Sequence, residues 1–302
     1  MPWRVEPLRR LAATILLLAL HAGAASAQDG KLLLTGGVSS IDGTAGGGLT
    51  PWALTGSYAT TEQLGATAFA TRVKTQDYAL NVAGVALSAR DRFELSFAQQ
   101  EFDTGPTGPA LGLPGLRLRQ SIVGAKLRVF GEAVLDSDTL APQLAVGVEF
   151  KRAHPAGLGP TLDSLGARRS GTDVYLSATK LFLAQGVLVN ATLRATKANQ
   201  NGLLGFGGTA HGATTLQPEV SLAWLLNRRV ALGVEYRAKP DALNPSALGT
   251  GLREDDWKDV FLAWAPNKRV SLTLAWVELG RIVPAVVTRR QRGAYASTQL
   301  AF

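Results

Sequence analysis

Apolar and polar residues alternate along most of the chain. In Phe93-Glu94-Leu95-Ser96-Phe97 the apolar residues share one parity, and in Leu144 to Phe150 the bulky ones do, with Ala, Gly and Glu opposite. Side chains two apart lie on one face of an extended strand, so a period of two predicts β-structure. Val187, Val189, Ala191 and Leu193 oppose Asn190, Thr192 and Arg194, and Val230, Leu232, Val234 and Tyr236 oppose Gly233, Glu235 and Arg237. Val270, Leu272, Leu274 and Trp276 continue the series.

Read end to end, the pattern predicts about fourteen strands, at roughly 31–39, 51–60, 64–73, 78–88, 93–102, 117–130, 141–152, 173–182, 187–197, 215–226, 229–238, 257–265, 269–279 and 292–302. Short turns, as at Asn227-Arg228 and Pro266-Asn267-Lys268, alternate with longer connections, as at 198–214 and 239–256. Two links depart from this rhythm, a short one at Lys74 to Asp77 and a longer one at Gly131 to Leu140. Consecutive strands are therefore expected to be antiparallel neighbours.

A soluble sandwich would need a second apolar layer for each sheet to pack against. Here one face carries Val, Leu, Trp and Tyr, and the other carries Gly, Ser, Thr, Asn and charged residues. In lipid that arrangement is required, because a closed barrel satisfies every backbone group internally. Aromatic residues near strand ends, Trp52, Tyr58, Trp224, Tyr236, Trp264 and Trp276, are expected to form interfacial girdles. The final strand ends on Phe302, which resembles the sorting signature of Gram-negative outer-membrane barrels. The expected fold is thus all-β, a transmembrane antiparallel up-and-down barrel of about fourteen strands. The alternative is twelve strands with an N-terminal plug, in which the glycine-rich run Gly43 to Pro51 enters the lumen instead of forming a flexible outer loop.

The N-terminus supplies an address. Arg4, Arg9 and Arg10 precede an apolar run from Leu11 to Leu20, and Ala25-Ser26-Ala27 offers a small-x-small cleavage site. Residues 1–27 read as a secretory signal peptide and 28–302 as the barrel. Loss of the peptide takes the net charge from +8 to +6 by removing three arginines and one glutamate. With a short-turn side facing the periplasm, the expected location is the bacterial outer membrane, and the expected partners are its lipid and lipopolysaccharide, the barrel assembly machinery and small solutes. Nucleic acid is not expected. The absence of cysteine excludes disulfides, thiolate chemistry and a lipid-modified N-terminal cysteine.

Several stretches are similar to a proteobacterial family, domain of unknown function three thousand and thirty-four: Leu32 to Ser39, Gly46 to Trp52, Ser177 to Leu183, Asn190 to Gln200, Leu203 to Gly208, Tyr236 to Asp241, Glu254 to Trp257 and Trp264 to Lys268. The resemblance spans essentially the whole mature chain. It implies an outer-membrane protein and brings no catalytic or ligand residues with it.

Inward parity collects Lys126, Arg128, Glu149, Lys151, Arg194, Glu219, Glu235, Arg237 and Asp259. As a pore lining with a slight cationic majority, these would favour anionic or zwitterionic solutes. As a salt-bridge ladder they would fill a narrow interior, with Glu149 beside Lys126 or Arg128. The expected function is a passive channel for small polar solutes, anionic ones among them. The alternatives are a non-conducting structural or interaction barrel anchored in lipopolysaccharide, and a transporter of hydrophobic compounds through a plugged barrel. No enzyme is expected: His154, Ser170 and Asp173 lie close in sequence, but no nucleophile motif accompanies them. No cofactor is expected either, and Glu254-Asp255-Asp256 lacks the alternate spacing of a calcium loop. Arg168, Arg169, Arg281, Arg289, Arg290 and Arg292 fall in or beside the long connections, where guanidinium groups can fork onto lipid A phosphates. Leu203 to Gly208 is expected either to lie on the membrane or to fold inward.

Overall fold

The computed structural model describes residues 31–134 and 139–302. The predicted signal peptide lies outside the described residues. Twelve strands close into one barrel: β1 (Leu64–Thr75), β2 (Ala79–Ala89), β3 (Phe93–Asp103), β4 (Arg117–Phe130), β5 (Gln143–His154), β6 (Ser170–Phe182), β7 (Val187–Thr196), β8 (Thr215–Asn227), β9 (Val230–Arg237), β10 (Trp257–Asn267), β11 (Val270–Glu278) and β12 (Arg292–Ala301). Each pairs antiparallel with its sequence neighbours. β12 closes on β1, with Ala296 opposite Arg72, and Ala66 and Phe302 exchange both backbone hydrogen bonds at this seam.

The period of two is the cause of this architecture. Along β5, Gln143, Ala145, Gly147, Glu149, Lys151 and Ala153 are buried, while Val146, Val148, Phe150 and Arg152 are exposed. Leu95, Val123, Phe150, Leu176, Leu193, Leu222, Val234, Val260 and Leu274 form an exposed apolar surface around the ring. Burying that surface in hydrocarbon is favourable, and a closed sheet leaves no edge unpaired there. The long connections gather at one end of the barrel and most short turns at the other. The two irregular links persist, with three residues between β1 and β2 and a longer connection between β4 and β5.

The strand count corrects the expectation of fourteen. The regions 31–39 and 51–60 do not join the wall; strand pairing within them is limited to Val38–Ser39 with Ala45–Gly46 and a single bridge between Pro51 and Gly46. A wall strand exposes every second residue to lipid, whereas residues 34–59 are buried at both parities. Extended backbone is also interrupted by positive φ at Leu34, Gly37, Gly43, Gly48 and Ser57. The run Gly43 to Pro51 is accordingly part of this buried segment and not a flexible outer loop.

The inner segment packs against the inward face of the barrel. Ile41 and Leu49 share an apolar cluster with Phe69, Ala98, Leu118 and Ile122 of the wall and with Leu203 and Leu204. Trp52 and Leu54 belong to a second cluster with Leu181, Leu188, Phe261 and Ala263. Inward glycines make room for aromatic rings. A Cβ at Gly147 would lie 2.0 Å from the Tyr175 ring, and one at Gly233 would lie 2.4 Å from the Phe261 ring.

Candidate functional site

The interior polar groups and the inner segment form one site with two halves. Nearer the short turns, Glu94 and Lys126 are directly opposite on β3 and β4, and the lysine nitrogen lies 3.2 Å from Glu94 Oε1. Lys126 also donates to the backbone carbonyls of Ala45 at 2.9 Å, Trp52 at 3.1 Å and Leu54 at 2.7 Å. Glu94 accepts from the Thr44 hydroxyl at 2.6 Å, the Ala45 amide at 3.0 Å and the Gly56 amide at 2.6 Å. This cross-strand pair thus grips both arms of the inner segment. Gln143 donates to the Ala53 carbonyl at 2.6 Å, and the Pro51 carbonyl accepts from Thr192 at 2.9 Å and Asn190 at 3.2 Å. Pro51 lacks an amide hydrogen, so its carbonyl is its sole backbone hydrogen-bonding group, and the wall satisfies it.

Nearer the long loops the contacts are ionic. Asp42, on the inner segment, meets Arg237 at 2.8 Å, Lys151 at 3.4 Å and Arg194 at 3.8 Å. Those three cations also meet wall carboxylates. Arg194 lies 2.7 Å from Glu149 and 2.5 Å from Glu219, Lys151 is 3.0 Å from Asp173, and Arg237 is 3.3 Å from Glu219. Asn201, in the connection between β7 and β8, donates to Asp42 at 2.7 Å and accepts from Lys151 at 2.8 Å and Arg237 at 2.9 Å. All of these side chains are buried. Burial raises the cost of any unpaired charge, which is why carboxylates and cations interleave here.

Every inward-parity charge named from the sequence faces the interior, and Arg128 sits at its short-turn rim against Asp91 at 2.7 Å and Glu132 at 3.1 Å. The pairing differs from the ladder expected. Glu149 faces Lys151 and Arg194 across β5, β6 and β7, not Lys126 or Arg128. The cationic majority also disappears. Glu94 and Asp173 share the inward parity, so Lys126, Arg128, Lys151, Arg194 and Arg237 face Glu94, Glu149, Asp173, Glu219, Glu235 and Asp259. Glu94 was visible in the alternation beside Leu95, and Asp173 in that beside Tyr175. Asp42 had no comparable signal, because it lies on no wall strand.

Glu235 and Asp259 are directly opposite on β9 and β10, and no ion pair reaches either one among the described residues. Glu235 accepts from the Leu49 amide at 2.7 Å and from the hydroxyls of Thr50 at 2.5 Å and Ser221 at 2.8 Å. A Cβ at Gly47 would lie 2.3 Å from Glu235 Oε1 and 2.9 Å from the Trp52 ring, so a larger residue here would have to displace this hydrogen-bonded carboxylate. Beside Arg194, Asn201 and Arg237 a space of about 10 Å³ remains, room for about one water.

Trp224, Tyr236, Trp264 and Trp276 are exposed on the outward face. Trp52 and Tyr58 are buried on the inner segment and are not girdle residues. Trp52 instead donates its indole hydrogen to Ser221 at 3.0 Å. Phe302 ends the chain half-exposed at the seam.

The apolar connection Leu203 to Phe206 folds inward: Phe206 is buried and bridges to Arg168 and Ala198. Neighbours in the loops divide the acidic triplet. Glu254 pairs with Lys239 at 3.0 Å, Asp255 with Arg281 at 2.8 Å, and Asp256 accepts from the Tyr236 hydroxyl at 2.6 Å. The hydrogen bonds from Arg281 hold the Asp255 carboxyl well below the usual carboxylate range, whereas burial raises Glu254 against the opposing pull of Lys239. His154 and Ser170 are exposed and Asp173 faces the interior, so strand parity places the aspartate on the opposite side of the wall.

The closed ring, its apolar exterior and its polar interior make this an outer-membrane β-barrel. Solved structures with a similar fold include the KdgM porin in complex with disordered oligogalacturonate (9% identity, TM-score 0.49, covering 78% of this chain and 99% of that one). They also include the NanC porin (6%, 0.49, 78% and 98%) and the outer membrane phospholipase A from Escherichia coli (10%, 0.41, 87% and 97%). No curated protein matches the sequence. A family model described as "Protein of unknown function (DUF3034)" matches residues 35–299, and the chain belongs to that family.

Proposed function

We propose that the protein is a conduit for small polar solutes across the outer membrane, held shut in the conformation described, with residues 34–59 acting as its plug. The observation that carries this reading is the nature of the contact between segment and wall. Side chains such as Lys126, Glu94, Gln143, Asn190 and Glu235 hold backbone groups of the segment by hydrogen bonds. Water can replace such bonds when the segment leaves, because the wall behind them is itself polar and suited to wetting. The inward face mixes carboxylates and cations in nearly equal number, so the solutes proposed are polar without a preferred sign of charge. No catalytic step is assigned.

A second reading, a non-conducting structural barrel, is favoured by the mutual pairing of charges around Asp42. Planar-bilayer recording separates the two. The refolded chain is expected to show brief openings, and a variant lacking residues 31–60 is expected to show long-lived conducting steps. Thr50→Cys with Ser221→Cys, whose hydroxyls lie 2.5 Å apart, should abolish openings when oxidised and restore them when reduced. A deletion variant that forms a folded barrel yet stays silent across a range of salts sinks the conduit and leaves the structural barrel.

A further inference from the structure

The outward face of the barrel changes character at the long-loop end of β9 to β12. Tyr236, Lys258, Glu278 and Arg292 form one transverse row, each opposite the next on adjacent strands. The next outward row toward the short turns is Val234, Val260, Trp276 and Ala294. The row of charge therefore borders the apolar surface.

Three cations converge on one carboxylate in this row. Glu278 lies 2.8 Å from Arg292, 3.0 Å from Arg290 and 3.4 Å from Lys258. The three cationic side chains are each about half exposed, at 55%, 45% and 53%, while Glu278 is buried beneath them. One anion cannot neutralise three cations, so positive charge remains at the surface. A depression of about 310 Å³ opens beside it, with Tyr236, Arg253, Lys258 and Arg290 among its lining residues. Glu254, Asp255 and Asp256 share that lining: Glu254 is paired with Lys239, Asp255 with Arg281 at 2.8 Å and with Arg290 at 4.0 Å, and Asp256 keeps its charge while accepting from the Tyr236 hydroxyl, so Arg253, Lys258, Arg290 and Arg292 still outnumber Glu278 and Asp256. Arg253 makes no ion pair with any described residue.

We propose that this depression binds the phosphorylated headgroup of an outer-leaflet glycolipid, whose acyl chains lie along Val234, Val260 and Trp276. Guanidinium groups suit this task because their paired N–H donors match phosphate oxygens, and Tyr236 in the charged row and Trp276 in the apolar row below it place amphipathic rings on either side of the border. The adjoining apolar row favours a lipid over a soluble anion, since both parts of an amphiphile find a matching surface. Glu278 holds the cations together when the site is empty and competes with the phosphate for them. This site is independent of whether the lumen conducts.

The test uses the full-length protein refolded in detergent, with native mass spectrometry counting bound lipid. Diphosphorylated lipid A should bind at least about tenfold more tightly than its dephosphorylated form, since charge-assisted hydrogen bonds are involved. Arg290→Ala with Arg292→Ala should erase that preference while the heat-modifiable band of the folded barrel persists. Glu278→Gln is the discriminating variant. Removing the competing anion should tighten lipid A binding severalfold, whereas a purely structural cluster would only loosen. Equal binding of both lipids, or binding indifferent to these substitutions, overturns the proposal. So does inorganic phosphate binding as tightly as lipid A, which would make this a soluble-anion site.

Discussion

The two halves of the interior hold the same segment by different physics. In the short-turn half, Lys126 and Glu94 grip backbone amides and carbonyls on either side of the turn, and that grip is independent of side-chain identity in the segment. In the long-loop half, one side chain, Asp42, meets three cations that already have partners of their own. Removing a grip on the backbone leaves buried groups unsatisfied. Removing Asp42 leaves Lys151, Arg194 and Arg237 facing Glu149, Asp173 and Glu219, a balanced set. The difference separates an anchor from a latch.

The largest effect is expected from the anchor. Lys126→Met leaves Glu94 and three carbonyls without their cation, a loss of about 3–5 kcal/mol. With Ser40→Cys as reporter, a buried position whose hydroxyl has no hydrogen-bond partner among the described residues, maleimide labelling should become rapid. Unchanged labelling would refute the anchor. Asp42→Asn should cost less, about 1.5–3 kcal/mol, because the remaining charges pair among themselves. Labelling should rise to an intermediate rate, and a larger effect than that of Lys126→Met would reverse the comparison.

A gain is expected where the wall is in conflict with itself. Asp259→Asn removes one of two facing buried carboxylates, at the site where Glu235 binds Leu49 and Thr50. It should raise the unfolding temperature, consistent with a gain of about 1 kcal/mol, and a lowered temperature would show that Asp259 has a favourable role. The smallest effect belongs to the loops outside the barrel. Asp255 is held below its ordinary value of 3.8 by Arg281, so its contribution is complete above that value and disappears only as pH falls through the lowered one. Proteolysis of the 238–256 connection should therefore stay slow at pH 4 in the parent chain, whereas Asp255→Asn should be cleaved faster at pH 4 and at pH 7 alike.

The wall was legible in the sequence because its cause is local: twelve predicted segments correspond to twelve strands, and the side of each charged residue follows from parity alone. For the inner segment the sequence leaves wall strands, an outer loop and a lumen plug all open, because its contacts are not local. Trp52, Leu54 and Tyr58 alternate with smaller residues much as a lipid-facing strand does, but their partners are distant in sequence. Ser39, for example, donates to Gln299 at 2.7 Å across 260 positions. No pattern within a short window carries that contact. The cationic majority expected inside the barrel fails for a different reason: parity does place Glu94 and Asp173 inward, and counting them removes it, whereas Asp42 lies on no wall strand.

The seam between β12 and β1 has a consequence for biogenesis. Ala66 and Phe302 lock the ring by a reciprocal pair of backbone hydrogen bonds, only a few residues after the inner segment runs into β1. Phe302 thus seals a compartment beside the stalk of the barrel's own contents. A nascent barrel that joins its ends early must thread the segment through a finished opening, while one that joins them late can wrap around it, so the order of these two events decides how the molecule is built.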